Sequence, residues 1–373
     1  MAMDSILLNG LFFLFLFFVF FRFNVVRPFD QINNDCLSLE KCLSYRGVAA
    51  IVVFLSHAAY FVNDKTDVVL FKSFAVVGYL SVSIFFFLSG YGVMKKYMKD
   101  ENYEKTFVKK RMCSILVPYA IFLVLYWAYR SLYGFVSPKD VLSTYITGLP
   151  IVSNSWYVVV IFIFYLIFFL QIKLFKRKYR YFVISGILIN CAWIFLCRKI
   201  GYGLHWYNTT HIILIGFIWA LKEEQIKEAM TKYKVLYIYI VIILLMLLFF
   251  CIFGINIQRQ IFFFVPSKYL MLMYGIYTSI VFLLFTLFFN LRFITGNIFS
   301  KWIGKISFEI YLIHGLFLDL FKSKYISIES TALYVYLSLI VSIIAAFLIH
   351  YAINFIMHRI FNFCEHKQCK LQD

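Results

Sequence analysis

The sequence predicts an all-α fold, a polytopic helical bundle integral to a membrane. Three observations predict it. The 373 residues are 63% hydrophobic and only 14% charged, where ordinary soluble domains carry about 25% charged residues. The apolar residues come in long blocks rather than in alternation or narrow stripes, and blocks of roughly 18 or more read as transmembrane helices. The basic residues are concentrated between the blocks.

In chain order the blocks are 5–22, 44–63, 73–94, 112–133, 155–172, 181–197, 205–221, 234–253, 269–290, 302–320 and 331–353, eleven predicted spans. The first follows only MAMDS, with no basic leader and no small-residue cleavage site, so a retained helix is expected rather than a signal peptide. Spans 181–197 and 205–221 are short and hold polar residues. The connections are too short for a separate soluble domain, and no internal repeat is evident. The expected layout is an added helix and linker over 1–40, a membrane domain over 41–355 and a tail over 356–373.

The net charge of +18 does not indicate nucleic acid. With the N-terminus outside, 26 of the 36 Lys and Arg fall in cytoplasmic segments, and a positive-inside bias accounts for the excess. This places the C-terminus in the cytoplasm. The eight cysteines include no C-x-x-C pair, so free thiols and no metal site are expected. The NTT triplet at 208–210 is a formal glycosylation sequon of little weight.

Span 44–63 carries Arg46 and, eleven residues on, His57. That is about 16 Å at 1.5 Å per residue and close to three whole turns, so the two share a helix face. A cation at the inner mouth and an imidazole near mid-membrane suit a cavity that binds an anion at its entrance and does proton chemistry in its depth. Ionisable groups at membrane depth are functional candidates. Arg46 alone is equally read as a snorkelling flank residue, and His57 alone as a packing histidine.

Three further motifs qualify. FFFLSGY (85–91) ends the third span. Its Ser89 and Gly90 either let backbones approach or leave room for a narrow ligand arm beside Tyr91. KKRMCSILVP (109–118) opens the fourth span. Positive-inside topology suffices to explain it, and a phosphate grip by Lys110 and Arg111 is the functional alternative. In SFEIYLIH (307–314), Ser307, Tyr311 and His314 share one face of the tenth span. They are expected to face a cavity or a buried polar network rather than lipid. Glu309 points elsewhere, toward a basic neighbour at the inner interface. Trp206 and Tyr207, beside His205, are read first as an interfacial aromatic belt and second as sugar-stacking rings.

The chain resembles the acyltransferase-3 family of membrane acyltransferases. The resemblance rests on the Arg-x10-His spacing in YRGVAAIVVFLSHA, on FFFLSGY, on NSWYVVV (154–160) and on SFEIYLIH, in order over about residues 41–355. It implies a ten-helix core, here spans two to eleven, with 5–22 added in front. It also implies transfer of an acyl group, usually acetyl, from acetyl-coenzyme A to a hydroxyl of a glycan or lipid-linked sugar. Family members commonly carry two arginines three apart in the basic segment. Here Arg111 is present and Ser114 stands in the second place, which puts the coenzyme A contacts there in doubt.

On that footing Arg46, Lys110 and Arg111 would hold the phosphates of coenzyme A, with Ser89, Gly90 and Tyr91 beside the arm. His57 would act as general base or acyl carrier, and Tyr311 or His314 would donate to the oxyanion. The expected partners are the acceptor sugar and membrane lipid, and the expected location is a bacterial plasma membrane. An exporter of polysaccharide or lipid-linked sugar is the alternative from another class. It lacks a repeat of two halves or a pair of broken helices in its favour.

Overall fold

A computed structural model describes residues 2–21, 24–25, 33, 35–62, 68–134, 136–253, 267–324 and 326–369. It is helical almost throughout. Extended pairing among these residues is confined to a two-residue antiparallel pair, β1 (Asn24–Val25) with β2 (Phe293–Ile294), and one bridge between Lys322 and Ser327.

The helices follow the predicted blocks. They are α1 (Ala2–Phe20), α2 (Leu39–Phe61), a short α3 (Val69–Lys72), α4 (Gly78–Lys99), α5 (Tyr103–Phe107), α6 (Cys113–Ser131), α7 (Pro138–Ile146), α8 (Trp156–Phe175), α9 (Tyr179–Ile200), α10 (Ile212–Lys232), α11 (Lys234–Phe253), α12 (Ser267–Asn290), α13 (Ile298–Lys305), α14 (Ser307–Leu320) and α15 (Thr331–Cys369). Seven of them are long and apolar enough to cross a membrane: α2, α6, α8, α9, α11, α12 and α15. An eighth is reached if Val69–Ala75 and Gly78–Lys99, bent by 45°, form one span. The other three predicted blocks also fall on helix. The apolar stretch of α1 is short, Met3–Val19. Helix α10 carries Lys222, Glu223 and Glu224 in its second half. Block 302–320 is broken at Ile306, between α13 and α14.

Helix ends follow local chemistry. Asn297 caps α13, its side chain accepting from the Phe299 and Ser300 amides at 3.0 Å each. Ser137 and Asp140 form a reciprocal capping box on α7, with Pro138 at the first helical position. Gly201, at φ 90°, ends α9 in the left-handed conformation that costs glycine least. Turn 108–112, between α5 and α6, is a π-helix, a widened turn that is common at functional sites.

Helix α2 lies at the centre. Of its apolar window 67% is buried, against 17% for α11, whose flanks face outward. Its small residues allow this. A Cβ on Gly47 would fall 2.9 Å from the Gly304 backbone nitrogen, and one on Gly304 would strike the Leu43 carbonyl, so α2 and α13 cross at a mutual glycine contact. A second such pair, Gly90 with Gly216, brings α4 onto α10. Helices α4 and α14 also pack directly on α2.

Candidate functional site

Two cavities of similar size lie inside the bundle, with no lining residue in common. One, of about 420 Å³, is lined by Arg46 (α2), Ser89 (α4), Arg111 and Ser114, Tyr157 (α8), Lys305 (α13), Ser307, Glu309 and Tyr311 (α14), and His350 (α15). The other, of about 410 Å³, is lined by His57 and Tyr60, Arg130, Ser153, Asn154 and Trp156, His205, and Gly315 and Asp319. Helices α2 and α14 run side by side from the first to the second. Arg46 and His57 therefore lie on one helix, as their spacing requires, but they open into different cavities.

The glycine crossing explains the cationic end. Because α2 and α13 touch backbone to backbone at Gly47 and Gly304, their neighbours Arg46 and Lys305 reach the same space. The chain breaks after Lys305, so α14 begins at this cavity and adds the partial positive charge of a helix N-terminus. Arg111 leaves the π-turn half-buried and donates from Nε to the Tyr103 hydroxyl at 3.2 Å. Burial opposes its charge, but Tyr165 and Tyr103 outweigh this and raise its pKa. Ser114 donates to the Arg111 carbonyl at 2.8 Å. Thus the position where a second arginine was expected carries a serine on the cavity wall, and Lys305 supplies a cation from another helix. The Lys110 side chain lies outside the described residues.

At the other end, His57 Nδ1 lies 2.7 Å from His314 Nε2, and His314 Nδ1 lies 3.0 Å from the Ile310 carbonyl oxygen. The two rings are parallel to within 4°, with centroids 5.0 Å apart. Together with the short N–N distance this means edge to edge, not face to face. A carbonyl only accepts, so His314 Nδ1 bears the hydrogen. In the neutral pair His314 Nε2 then accepts from His57 Nδ1. The basic nitrogen left over is His57 Nε2, on a half-buried side chain that lines the cavity, while His314 is fully buried. His314 has no ring N–H left to offer an oxyanion. Its geometry is that of a group that orients His57.

The wall between the cavities is the NSWY segment. The Tyr311 hydroxyl donates to the Asn154 carbonyl at 2.5 Å, which joins a residue of the first cavity to one of the second. Asn154 has φ 63°, a left-handed conformation that asparagine tolerates better than most residues. The adjoining Tyr157 pairs with Ser89 at 3.2 Å and packs on Tyr311 with ring centroids 5.6 Å apart. On the far side Trp156 packs against His205 at 5.5 Å. Asp319 accepts from Arg130 at 3.0 Å and from Ser153 at 3.3 Å.

The FFFLSGY residues separate. Ser89 reaches the cavity, Gly90 is the packing contact with α10, and the Tyr91 hydroxyl donates to Glu223 at 2.9 Å. Trp206 is buried, its indole on the Gly148 carbonyl at 3.0 Å, and so is no exposed belt residue. Sequence reasoning missed Tyr157, Lys305, His350, Arg130 and Asp319 as wall residues. His350, Ile353, Asn354 and Met357 do stand at helical spacing along one face of α15, a polar interruption that periodicity could have flagged. Among the described residues no group of three or more His, Cys, Asp or Glu is placed to hold a metal, and the six cysteines whose side chains are described are free.

No curated protein and no solved structure gives a match to the chain. A family model described as an acyltransferase domain matches residues 45–351, which takes in all four motifs, the whole His57 cavity and the lining of the Arg46 cavity up to His350. That match spans well over half of the sequence, and the chain belongs to the acyltransferase-3 family, as a polytopic helical membrane acyltransferase.

Proposed function

We propose that the protein transfers an acyl group, acetyl as the expected case, from cytoplasmic acyl-coenzyme A to a hydroxyl of a glycan or lipid-linked sugar on the other side of the membrane. The observation that supports this reading is the pair of back-to-back cavities with the His57–His314 pair beside their dividing wall. The cavity with Arg46, Arg111, Lys305 and a helix N-terminus suits a phosphate-rich donor. The cavity with Trp156, His205, Asp319 and Arg130 suits a polar ring bearing hydroxyls.

In this reading the pantetheine arm carries the thioester from the cationic cavity to the wall and displaces the Tyr311–Asn154 hydrogen bond. The Tyr311 hydroxyl then turns to the thioester carbonyl and stabilises the oxyanion. His57 Nε2 takes the proton of the acceptor hydroxyl as the oxygen attacks the carbonyl carbon. The C–S bond breaks and the thiolate leaves, to be protonated from solvent on the donor side, while His57 releases the proton it took to solvent on the acceptor side. His314, anchored on the Ile310 carbonyl, holds His57 in the required tautomer. An acyl-His57 intermediate uses the same nitrogen as nucleophile.

The test is incubation of purified protein in lipid nanodiscs with acetyl-coenzyme A and candidate glycans, reading thiol release and acetylated product. Thiol release that depends on the acceptor supports the proposal. No binding of coenzyme A by calorimetry and no thiol release would overturn it and favour an exporter.

A further inference from the structure

His350 is a titratable group of the donor cavity that the scheme above leaves without a role. It lies on α15, its side chain lines the donor cavity with Arg46, Arg111 and Lys305, and its Nδ1 sits 2.8 Å from Glu309 Oε1. Glu309 is buried, and its other oxygen, Oε2, has no hydrogen-bond partner. A carboxylate only accepts, so His350 Nδ1 carries a hydrogen in either charge state. That leaves Nε2 as the one ring nitrogen that changes on titration. Neutral, it presents a lone pair, which repels an anion. Protonated, it presents an N–H donor on a cation.

The charged groups around it come from every wall. They are Glu309 on α14, Lys305 on α13, Arg46 on α2 and Arg111 on the π-turn. Arginine stays charged in proteins and lysine ordinarily titrates near 10.4. Histidine is thus the cation of this cavity whose ordinary titration range lies nearest to neutrality.

We infer that His350, clamped by Glu309, is a phosphate-contacting residue of the donor site and engages an anionic donor only as the imidazolium. Donor binding then takes up a proton, and donor affinity rises as pH falls. This inference rests on the coenzyme A reading, and the experiment separates the two. Dephospho-coenzyme A is the better probe, because the 3′-phosphate of coenzyme A itself titrates near pH 6 while a pyrophosphate diester does not gain charge there.

Its dissociation constant would be measured by calorimetry on the nanodisc protein from pH 6 to 9. Expected is a weakening that approaches tenfold per pH unit on the alkaline side, the limit for one linked proton. His350→Gln should bind with a flat profile close to the wild type's alkaline affinity. Should that variant fail to fold, His350→Lys supplies a permanent cation and should bind tightly with a flat profile across the range. Identical sloping profiles in the wild type and the substituted protein would overturn the role of His350 and leave the donor assignment intact. No binding at any pH would overturn both.

Discussion

At the scale of single residues, the spacing of Arg46 and His57 was legible in the sequence because a helix period converts it directly into a shared face. What each side chain meets was not legible. Tyr311 and His314 read alike as polar residues on one stripe, yet Tyr311 closes the wall through the Asn154 carbonyl while His314 spends both ring nitrogens on Ile310 and His57. That difference depends on which atoms of distant segments lie opposite, and no local pattern encodes it. The roles predict distinct losses. His57→Ala should lower acyl transfer by about 10²–10⁴-fold, the usual worth of a general base, with coenzyme A binding retained. Transfer near the wild-type rate would remove His57 from the chemistry. His314→Ala should lower kcat with donor KM unchanged, since it acts only through His57. Tyr311→Phe should lower kcat by about 10²–10³-fold if its hydroxyl reaches the oxyanion, and a kcat within twofold of wild type would limit it to the wall. Arg46→Ala should raise donor KM roughly tenfold to a hundredfold, from about 1.5–3 kcal/mol lost with a charge-assisted contact.

At the scale of elements, the helices were legible because unbroken apolar blocks leave little choice in a membrane, where backbone groups must be paired within a helix. The break at Ile306 was hidden, since KISFEI holds no proline and the residue that precedes α14 is an isoleucine that offers no side-chain cap. That break matters, because it starts α14 at the donor cavity. Charges at the end of α10 were legible only as positive-inside signal, but they hold the fold together. Glu223 lies beyond the predicted span 205–221. It is 5% exposed, bonded to Lys227 at 2.8 Å, to Tyr91 at 2.9 Å and to Lys95 on α4. Burial alone would raise its pKa, but hydrogen bonds from Lys227, Lys95 and Tyr91 outweigh it and hold the value below the ordinary 4.5. A depressed carboxylate stabilises the folded state fully above its unfolded value and loses that contribution as pH falls through the folded one. Glu223→Gln should therefore lower the melting temperature of the solubilised protein by a few degrees at pH 7. The difference from wild type should shrink as pH drops below 4.5. An offset that stays constant down to pH 3.5 would assign the effect to packing instead of charge.

For the whole molecule, the mechanism requires the Arg46 cavity to open toward the cytoplasm, where acyl-coenzyme A is made. The two ends of the bundle are distinguishable. Helix α4 starts against Ser56 near the His57 end and descends past Ser89 to Lys95, Lys96 and Lys99, so the exposed Asn102 lies at the Arg46 end. Helix α7 sits in the connection that contributes Gly148, Leu149 and Ser153 to the His57 cavity, and Ser143 is exposed on it. Of 36 basic residues, 26 fall in the segments assigned to the Arg46 end, and such a bias sets orientation during insertion. A membrane-impermeant thiol reagent on intact cells should label a cysteine placed at Ser143 or Ser153 and spare one at Asn102, each compared with the unsubstituted protein. Permeabilised cells should label Asn102 as well, which shows that the position is reactive. Labelling at Asn102 in intact cells, with Ser143 protected, would turn the chain over. The cationic cavity would then face away from cytoplasmic coenzyme A, and the donor would have to come from elsewhere or reach the site by the His57 side, where only Arg130 among the lining residues carries a permanent positive charge.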